Sequence, residues 1–485
     1  MNVHLSVVDL AVIAAYLAGM LAIGAWVARR HPRLDDFLVA GRAMTTPLLV
    51  CTLVSTFYGV DVLFGTSELA YEEGVVAWFT YSRPMYLFLL VAAFLLAGRL
   101  RAHGFRTLPD VLAFHYGRPT QVTAALASFV YALPSLGLFG LGRVFHAMFG
   151  WEPWIGALLF GGVALVYTLC GGLLADALTD TVQFVMMSVT LAIAVPFALT
   201  RVGGFDVLQQ SLAPEFFEPL GSLPGWLVFV YASTGLVVLI EPAFYQRIFA
   251  ARSARDVRNA MLAGIVLWAA YDWCVTVAGM TAAGAVEQGL LAGGFHADEA
   301  LLRVVLFSLP VGLTGLFLAG VLAAEMSTID SYCLVAGGNL AWDVVRPLAR
   351  QELSDATLLR LTRAGIVLSW AIGFAVAFVF ERLLSLWVFT STILTATLLV
   401  PVLAGLFWPG RKTALAGLAS SVVGLGAVFT YYAVVFWFGS WSEEYATFIW
   451  TVGGFELWQE YAMLVAVPLS LAGFVVGQLA GGERT

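Results

Sequence analysis

Gly315-Leu-Phe-Leu-Ala-Gly-Val-Leu-Ala-Ala-Glu-Met-Ser-Thr-Ile-Asp-Ser-Tyr332 opens as an apolar helix and then turns polar at a regular interval. Ala324, Ser327, Thr328 and Ser331 fall at i, i+3, i+4 and i+7 and share one helix face. Asp330 lies roughly 60° of rotation from Ser327, at about 100° per residue. The stripe offers hydroxyls and a carboxylate, hard oxygen ligands that need a partner in a bilayer, and a bare cation is the obvious one. The competing reading has the hydroxyls bonding back to carbonyls one turn earlier, as Ser and Thr often do in membrane helices.

The rest of the chain places that stripe in a membrane. Its 485 residues are 61% hydrophobic and 11% charged, with a mean hydropathy of +0.90. A soluble protein of this length has no use for so many apolar residues, so an all-α polytopic membrane protein is expected. Cys51, Cys170, Cys274 and Cys333 sit inside apolar segments without metal-ligand spacing, which indicates neither a disulfide framework nor a zinc site. The first apolar run lacks a basic segment before it and a small-residue cleavage site after it, and reads as a retained helix.

About thirteen spans of bilayer length are expected. They lie near 6–28, 47–70, 75–98, 120–149, 152–171, 179–200, 225–248, 260–287, 303–335, 360–380, 384–407, 413–438 and 460–480. With the N-terminus outside, nearly all basic residues fall on cytoplasmic loops and helix ends, Arg247 among them. The exceptions are Arg83, Arg143, Arg201, Arg303 and Arg382. The positive-inside rule therefore predicts a cell-membrane protein with its N-terminus out and C-terminus cytoplasmic. No loop is long enough to hold a soluble domain.

Two spans look discontinuous. One contains Ser55-Thr-Phe-Tyr-Gly59-Val-Asp61, polar and glycine-bearing in mid-membrane; the other contains Leu239-Ile-Glu241-Pro242-Ala-Phe-Tyr-Gln246-Arg247. They head two successive five-helix sets. The expected organisation is 1–46 (an extra helix and cytoplasmic loop), 47–201 and 202–410 (two five-helix repeats) and 411–485 (two C-terminal helices). Paired interruptions of this kind point to a midplane site in an inverted-repeat transporter. Broken helices free carbonyls for a cation and helix ends for a polar solute.

Four segments resemble the sodium:solute symporter family. Gly104-Phe-Arg-Thr107-Leu-Pro109-Asp110 with Phe114-His-Tyr-Gly117 is similar to its cytoplasmic T-x-P-E and R-F/Y-G loop. Tyr167-Thr-Leu-Cys-Gly171-Gly172 with Thr179-Asp180-Thr-Val-Gln183 is similar to Y-T-x-x-G-G and T-D-x-x-Q. Gln246-Arg247-Ile-Phe-Ala-Ala-Arg-Ser is similar to Q-R-x-L-A-A-K-S, and Ala323-Ala324-Glu-Met326-Ser327-Thr328 to A-A-x-M-S-S/T. The resemblance implies a ten-helix inverted-repeat core of the leucine-transporter type and a sodium-coupled symporter importing a small polar solute by alternating access.

Carried over by position, it implies sodium bound by the Ser55, Tyr58 and Ala324 carbonyls and the Ser327 and Thr328 hydroxyls. It implies a second sodium near Asp180, Asp330 and Ser331, with Asp330 standing where such members carry a hydroxyl. The solute pocket would draw on Asp61, Val62, Ser82, Arg83, Met85 and Glu241, with Phe57, Tyr58, Phe244 and Tyr245 as aromatic lining. Apolar Val62 and Met85 argue against a hexose. Arg83 near Asp61 and Glu241 favours a carboxylate or amino-acid-like solute, unless the three charges only neutralise one another.

Tyr167–Leu199 and Gly65-Thr-Ser-Glu68-Leu-Ala-Tyr71 resemble the high-affinity choline transporter branch in particular, which makes choline or another quaternary amine the alternative solute. Phe57 and Ala243 stand where that branch carries tryptophans, so no tryptophan cage is legible. The expected partners are solute, sodium and the bilayer; neither nucleic acid nor an obligatory protein partner is indicated. No catalytic triad, phosphate loop or His/Cys metal cluster suggests an enzyme, and His115 and His146 stand isolated. The rival class is a transporter-like membrane sensor, because relatives fuse this core to signalling modules. A channel would need a continuous polar path, whereas these polar groups cluster at one depth.

Overall fold

The computed structural model describes residues 5–29, 33–59, 61–379, 383–443 and 447–481, without the side chains of Asp61 and Ala147. Arg382 lies outside the described residues. The main helices are α1 (Val7–Ala28), α2 (Thr46–Phe57), α3 (Thr66–Glu73), α4 (Ala77–Arg101), α5 (Arg118–Tyr131), α6 (Ser135–Phe149) and α7 (Pro153–Arg201). They continue as α8 (Gly225–Thr234), α9 (Pro242–Ala250), α10 (Ala254–Glu287), α11 (Leu313–Gly338), α12 (Asp355–Ala377), α13 (Leu383–Phe407), α14 (Ala414–Phe438) and α15 (Ala462–Ala480). In lipid every backbone polar group must find an internal partner, which is why apolar runs of this length become helices.

Among the described residues, 11 helices are long and apolar enough to cross a membrane, or up to 12 if the bent pair of pieces at residues 46–73 is one span. The expected thirteen segments differ from this at two places. Thr46–Phe57 and Val62–Glu73 are two short pieces bent by 59°. The two segments expected at 152–200 run together as the 49-residue α7, whose helical geometry fails at Gly172 (φ 60°, ψ −156°). A Cβ on Gly172 would also strike Phe37, so both backbone conformation and close approach demand glycine there.

The second interrupted span is broken as expected. A 3₁₀ segment, Gly235–Leu239, leads to Glu241, whose carboxylate accepts the Phe244 N–H at 2.6 Å and caps α9, with Pro242 in its first turn. Helix α11 is enclosed by protein: Ala324, Ser327, Thr328, Asp330 and Ser331 are each at most 3% exposed. Small residues admit its neighbours closely, as where Gly320 faces Thr190 of α7.

The chain is not all helix. Strands β1 (Ser440–Ser442), β2 (Thr447–Val452) and β3 (Phe455–Trp458) form an antiparallel sheet in the order β1-β2-β3. Gly453 and Gly454 both have positive φ (58° and 85°) between the paired residues Val452 and Phe455, as a tight hairpin turn requires. The sequence signal was present: a Gly-Gly pair flanked by Thr-Phe-Ile-Trp-Thr-Val and Phe-Glu-Leu-Trp.

On the face predicted to be cytoplasmic, Thr107 caps the helix Leu108–Tyr116 and donates to Asp343 at 2.9 Å. The Trp342 indole donates to Asp110 at 2.9 Å, and Arg106 pairs with Asp35 at 2.6 Å. The first two contacts tie the loop around Thr107 to the π-helical segment Asn339–Val345 that continues α11, and the third ties it to the helix Leu34–Val39. At the other end of α11, buried Asp9 of α1 accepts the backbone N–H groups of Gly312 at 3.0 Å and Gly315 at 2.6 Å. A carboxylate there offsets the unpaired donors and dipole of the helix N-terminus. Asp9→Ala is expected to cost about 1–3 kcal/mol of stability, read as a lower thermal unfolding midpoint in detergent.

Candidate functional site

Helix α2 stops at Phe57, and Tyr58 leaves helical geometry (φ −94°, ψ 47°). The break lies against α11, where a Cβ on Gly59 would collide with the Thr328 side chain. The Thr328 hydroxyl has two carbonyls in reach, Thr56 O at 3.2 Å and Ala324 O at 3.3 Å. A helix C-terminus leaves carbonyl oxygens without intrahelical donors, so oxygens from two helices converge where a cation can be held.

The expected sodium ligands divide at this point. Tyr58 and Ala324 border one small cavity together with Met187, Thr190, Tyr271 and Gly320. The Ser55 carbonyl instead accepts the Tyr58 N–H at 3.3 Å, and the Ser55 hydroxyl meets Met187 sulfur at 3.7 Å. The carbonyl that faces Thr328 is that of Thr56, one residue on, because the last turn of α2 tightens before it ends. Ser327 donates to Asp180 Oδ1 at 2.5 Å, on the other side of the stripe.

That second side is an acid cluster. One carboxylate oxygen from each of Asp176, Asp180 and Asp330 lies within 4.8 Å of the other two, all three residues being buried. The structure thus brings Asp180, Asp330 and Ser331 together as expected and adds Asp176, which sequence reasoning missed. The signal was its i, i+4 spacing from Asp180, which sets both acids on one face of α7. The larger correction concerns Arg247. It was expected at a cytoplasmic helix end, yet it is 0% exposed and its guanidinium enters this cluster, pairing with Asp176 at 2.6 Å and Asp180 at 3.5 Å. The interruption at Leu239–Glu241 explains this: α9 begins late in the span, so Arg247, its sixth residue, meets buried acids and not water.

Beside these ions lies an aromatic cluster drawn from separate helices. Phe57 of α2 lies 4.9 Å from Phe244 of α9, 6.0 Å from Trp268 of α10 and 6.4 Å from Trp387 of α13, centroid to centroid. Tyr131 of α5 continues it, 6.2 Å from Trp387. Two tryptophans therefore converge here from places the sequence reading did not name. Among the described residues, neither indole N–H has a hydrogen-bond partner; nor do the buried hydroxyls of Ser391 and Thr395, which follow Trp387 at i+4 and i+8 on α13.

The other expected pocket residues fare unequally. Phe57 and Phe244 are in the cluster. Val62, Ser82 and Met85 are buried, and the Ser82 hydroxyl has no partner among the described residues. Glu241 serves as the α9 cap, and the Tyr245 hydroxyl donates to the Leu239 carbonyl at 2.8 Å. Tyr58 donates to Asp272 at 3.0 Å, an acid that also accepts from Tyr86. Asp61 falls outside the described side chains. Arg83 is not in the interior: it is exposed and lies over Phe79 at 5.1 Å. A long cation early in a span can turn its head outward along the helix, which costs less than burial beside acids.

Comparison with known proteins agrees with this architecture. The sodium:solute symporter family model matches residues 37–424. The chain is 26% identical over 447 residues to the human high affinity choline transporter 1, covering 85% of this chain and 75% of that one. It is 25% identical to the high-affinity proline transporter PutP of Bacillus subtilis (strain 168), covering 84% and 89%. A solved Na+-coupled sialic acid symporter in a substrate-bound outward-open state superposes with a TM-score of 0.83 over 98% of both chains, at 16% identity.

The geometry makes Gly59 a test of the contact between α2 and α11. Gly59→Ala is expected to cost about 1–3 kcal/mol of stability through overpacking and to raise sodium half-saturation by prising Thr56 from Thr328. Gly19→Ala, where a Cβ meets open space, is expected to change neither the unfolding midpoint nor the sodium dependence.

Proposed function

Because the chain belongs to the sodium:solute symporter family, we propose that it imports a small polar solute through the cell membrane by sodium-coupled alternating access. The observation that carries the ion site is the convergence of Thr56 O, Ala324 O and Thr328 Oγ1 from two helices. Sodium there, with Tyr58 and Ser327 completing the set as the protein moves, ties the broken helix to α11 and favours the state that captures solute. An ion biases a conformational equilibrium only through its preference for one state, and this site exists only while the two helices meet.

In this reading the spans number thirteen: the eleven long helices, the bent pair at residues 46–73, and a second span from α7 when it is divided at Gly172. Residues 47–201 and 202–410 are two inverted five-helix repeats, each headed by a broken helix. The N-terminus is outside and the C-terminus cytoplasmic, following the distribution of arginines.

The solute carries an alkylated ammonium group and an oxygen acceptor. Phe57, Phe244, Trp268 and Trp387 offer π faces to a cation, and the open indole and hydroxyl donors of Trp268, Trp387, Ser391 and Thr395 suit a hydroxyl or carboxylate. With Arg83 on the outside, recognition of a carboxylate no longer needs an arginine. Choline-like amines and amino-acid-like zwitterions both answer this description, and a hexose does not.

Uptake by purified protein in proteoliposomes tests the proposal. An inward sodium gradient is expected to drive accumulation of a quaternary amine, betaine or imino acid; binding without accumulation would leave a sensor. Thr328→Ala is expected to raise sodium half-saturation about tenfold, the loss of one ligand worth about 1.4 kcal/mol, with solute affinity at saturating sodium little changed. An unaltered sodium dependence in the Ser327→Ala/Thr328→Ala double variant overturns the ion site. Trp387→Leu is expected to weaken solute affinity by about tenfold, for one cation–π face lost, while sodium binding stays.

A further inference from the structure

Asp272 is a buried acid that belongs neither to the oxygens around Thr328 nor to the cluster around Arg247. It is 4% exposed and stands on α10 at i+4 from Trp268, so the two share a helix face one turn apart. Two phenols from other helices converge on its carboxylate. Tyr58, at the break of α2, donates to Oδ1 at 3.0 Å, and Tyr86 of α4 donates to Oδ2. The Tyr58 ring also packs 4.1 Å from Tyr271, centroid to centroid. The acid is therefore tied to the aromatic cluster twice, through Trp268 on its own helix and through the residue that follows Phe57 on α2.

Phenols donate hydrogen bonds but carry no charge, so they fix the carboxylate without cancelling it. Each carboxylate oxygen has two acceptor positions, and one phenol apiece leaves room for a further partner. A negative charge held inside protein favours a cation beside it. Arg83, three residues before Tyr86 on α4, is exposed and lies over Phe79. The other buried acids have their own tasks: Asp176 and Asp180 face Arg247, and Glu241 caps α9. The rings of Phe57, Phe244 and Trp268 attract an ammonium group but bear no formal charge. A fully alkylated ammonium has no N–H to donate, so π faces with a carboxylate close by are what can recognise it, and Trp268, Tyr58 and Asp272 present both.

We propose that Asp272 is the counter-charge for the solute's ammonium group, set at one edge of the aromatic cluster. The inference rests on the reading of the solute as an ammonium compound and names the residue that selects for its charge. The donors of Trp387, Ser391 and Thr395 on α13, without partners among the described residues, suit the oxygen end of the same molecule. Tyr58 links this acid to the ion site. Its phenol holds Asp272, while its backbone leaves helical geometry at the break, next to the glycine that packs on Thr328. A solute that draws on Asp272 thus draws on a residue of the break itself.

Matched pairs of ligands test charge selection directly. Choline, glycine betaine and proline each have a carbon isostere, with carbon in place of nitrogen, that is alike in shape and lacks the positive charge. Binding of each pair to the purified, detergent-solubilised full chain is measured by calorimetry at saturating sodium. The native protein is expected to prefer the ammonium member of at least one pair by about a hundredfold, about tenfold each for the ion pair and the π faces. Asp272→Asn keeps an acceptor for the phenols and is expected to lower that preference about tenfold, the rest staying with the rings. Asp272→Glu keeps the charge and is expected to keep the preference while binding both members of a pair more weakly. An Asn variant that retains the native preference, even if it weakens both members alike, overturns the counter-charge assignment and leaves the ammonium solute standing. So does a Glu variant that loses the preference, which decides the matter if the Asn variant does not fold. A native protein that binds none of these compounds, or binds isosteres as well as ammonium compounds, overturns the ammonium reading itself and the assignment with it.

Discussion

A buried guanidinium among three buried carboxylates is the interaction on which the interior of this protein depends. Arg247, Asp176, Asp180 and Asp330 draw together α9, α7 and α11, and Thr52 and Thr56 bring in α2. Taking such charges out of water is expensive, and their mutual attraction offsets that cost only with close geometry and further hydrogen bonds. The short contacts from Ser327, Ser331 and Thr52 supply those bonds. An apolar replacement of similar volume would pack the same space, but it would not place charge at the junction of four helices, where motion can be coupled to an ion.

The same economy governs the backbone. Helix α2 ends in the protein interior, where free carbonyls are costly, and Gly59 brings the break close enough to Thr328 for a hydroxyl to meet the Thr56 carbonyl. The polar face of α11 is thereby shared between two tasks. Thr328 turns toward the carbonyls of the broken helix, and Ser327 and Ser331 turn toward the acids. Residues one apart on the same helix separate a carbonyl site from a carboxylate site because successive side chains point about 100° apart.

The aromatic cluster sits against both. Phe57 follows Thr56 and Phe244 precedes Arg247 by one turn, so the same two half-helices carry groups of both the aromatic cluster and the charge cluster. Open indole and hydroxyl donors among those rings are costly when left dry, and each calls for a partner. Asp272, joined to Tyr58 and Tyr86, further anchors the break from the α10 side.

Much of this was legible in the chain. Hydropathy and helical period determined the membrane class, the polar face of α11 and the two interrupted spans, because lipid allows few structures and each leaves a periodic trace. The motifs carried the family, and the pairing of Asp180 with the later serines followed from it. What only the tertiary structure decided is where long side chains end and which distant residues meet. Arg83 and Arg247 looked alike as charges near apolar runs; one turns outward over Phe79 and the other inward to Asp176. Trp268 and Trp387 are ordinary aromatics in their own segments and join Phe57 only when α10 and α13 close around α2. Periodicity assigns a residue to a face; the neighbour that the face meets is set by packing between helices far apart in sequence.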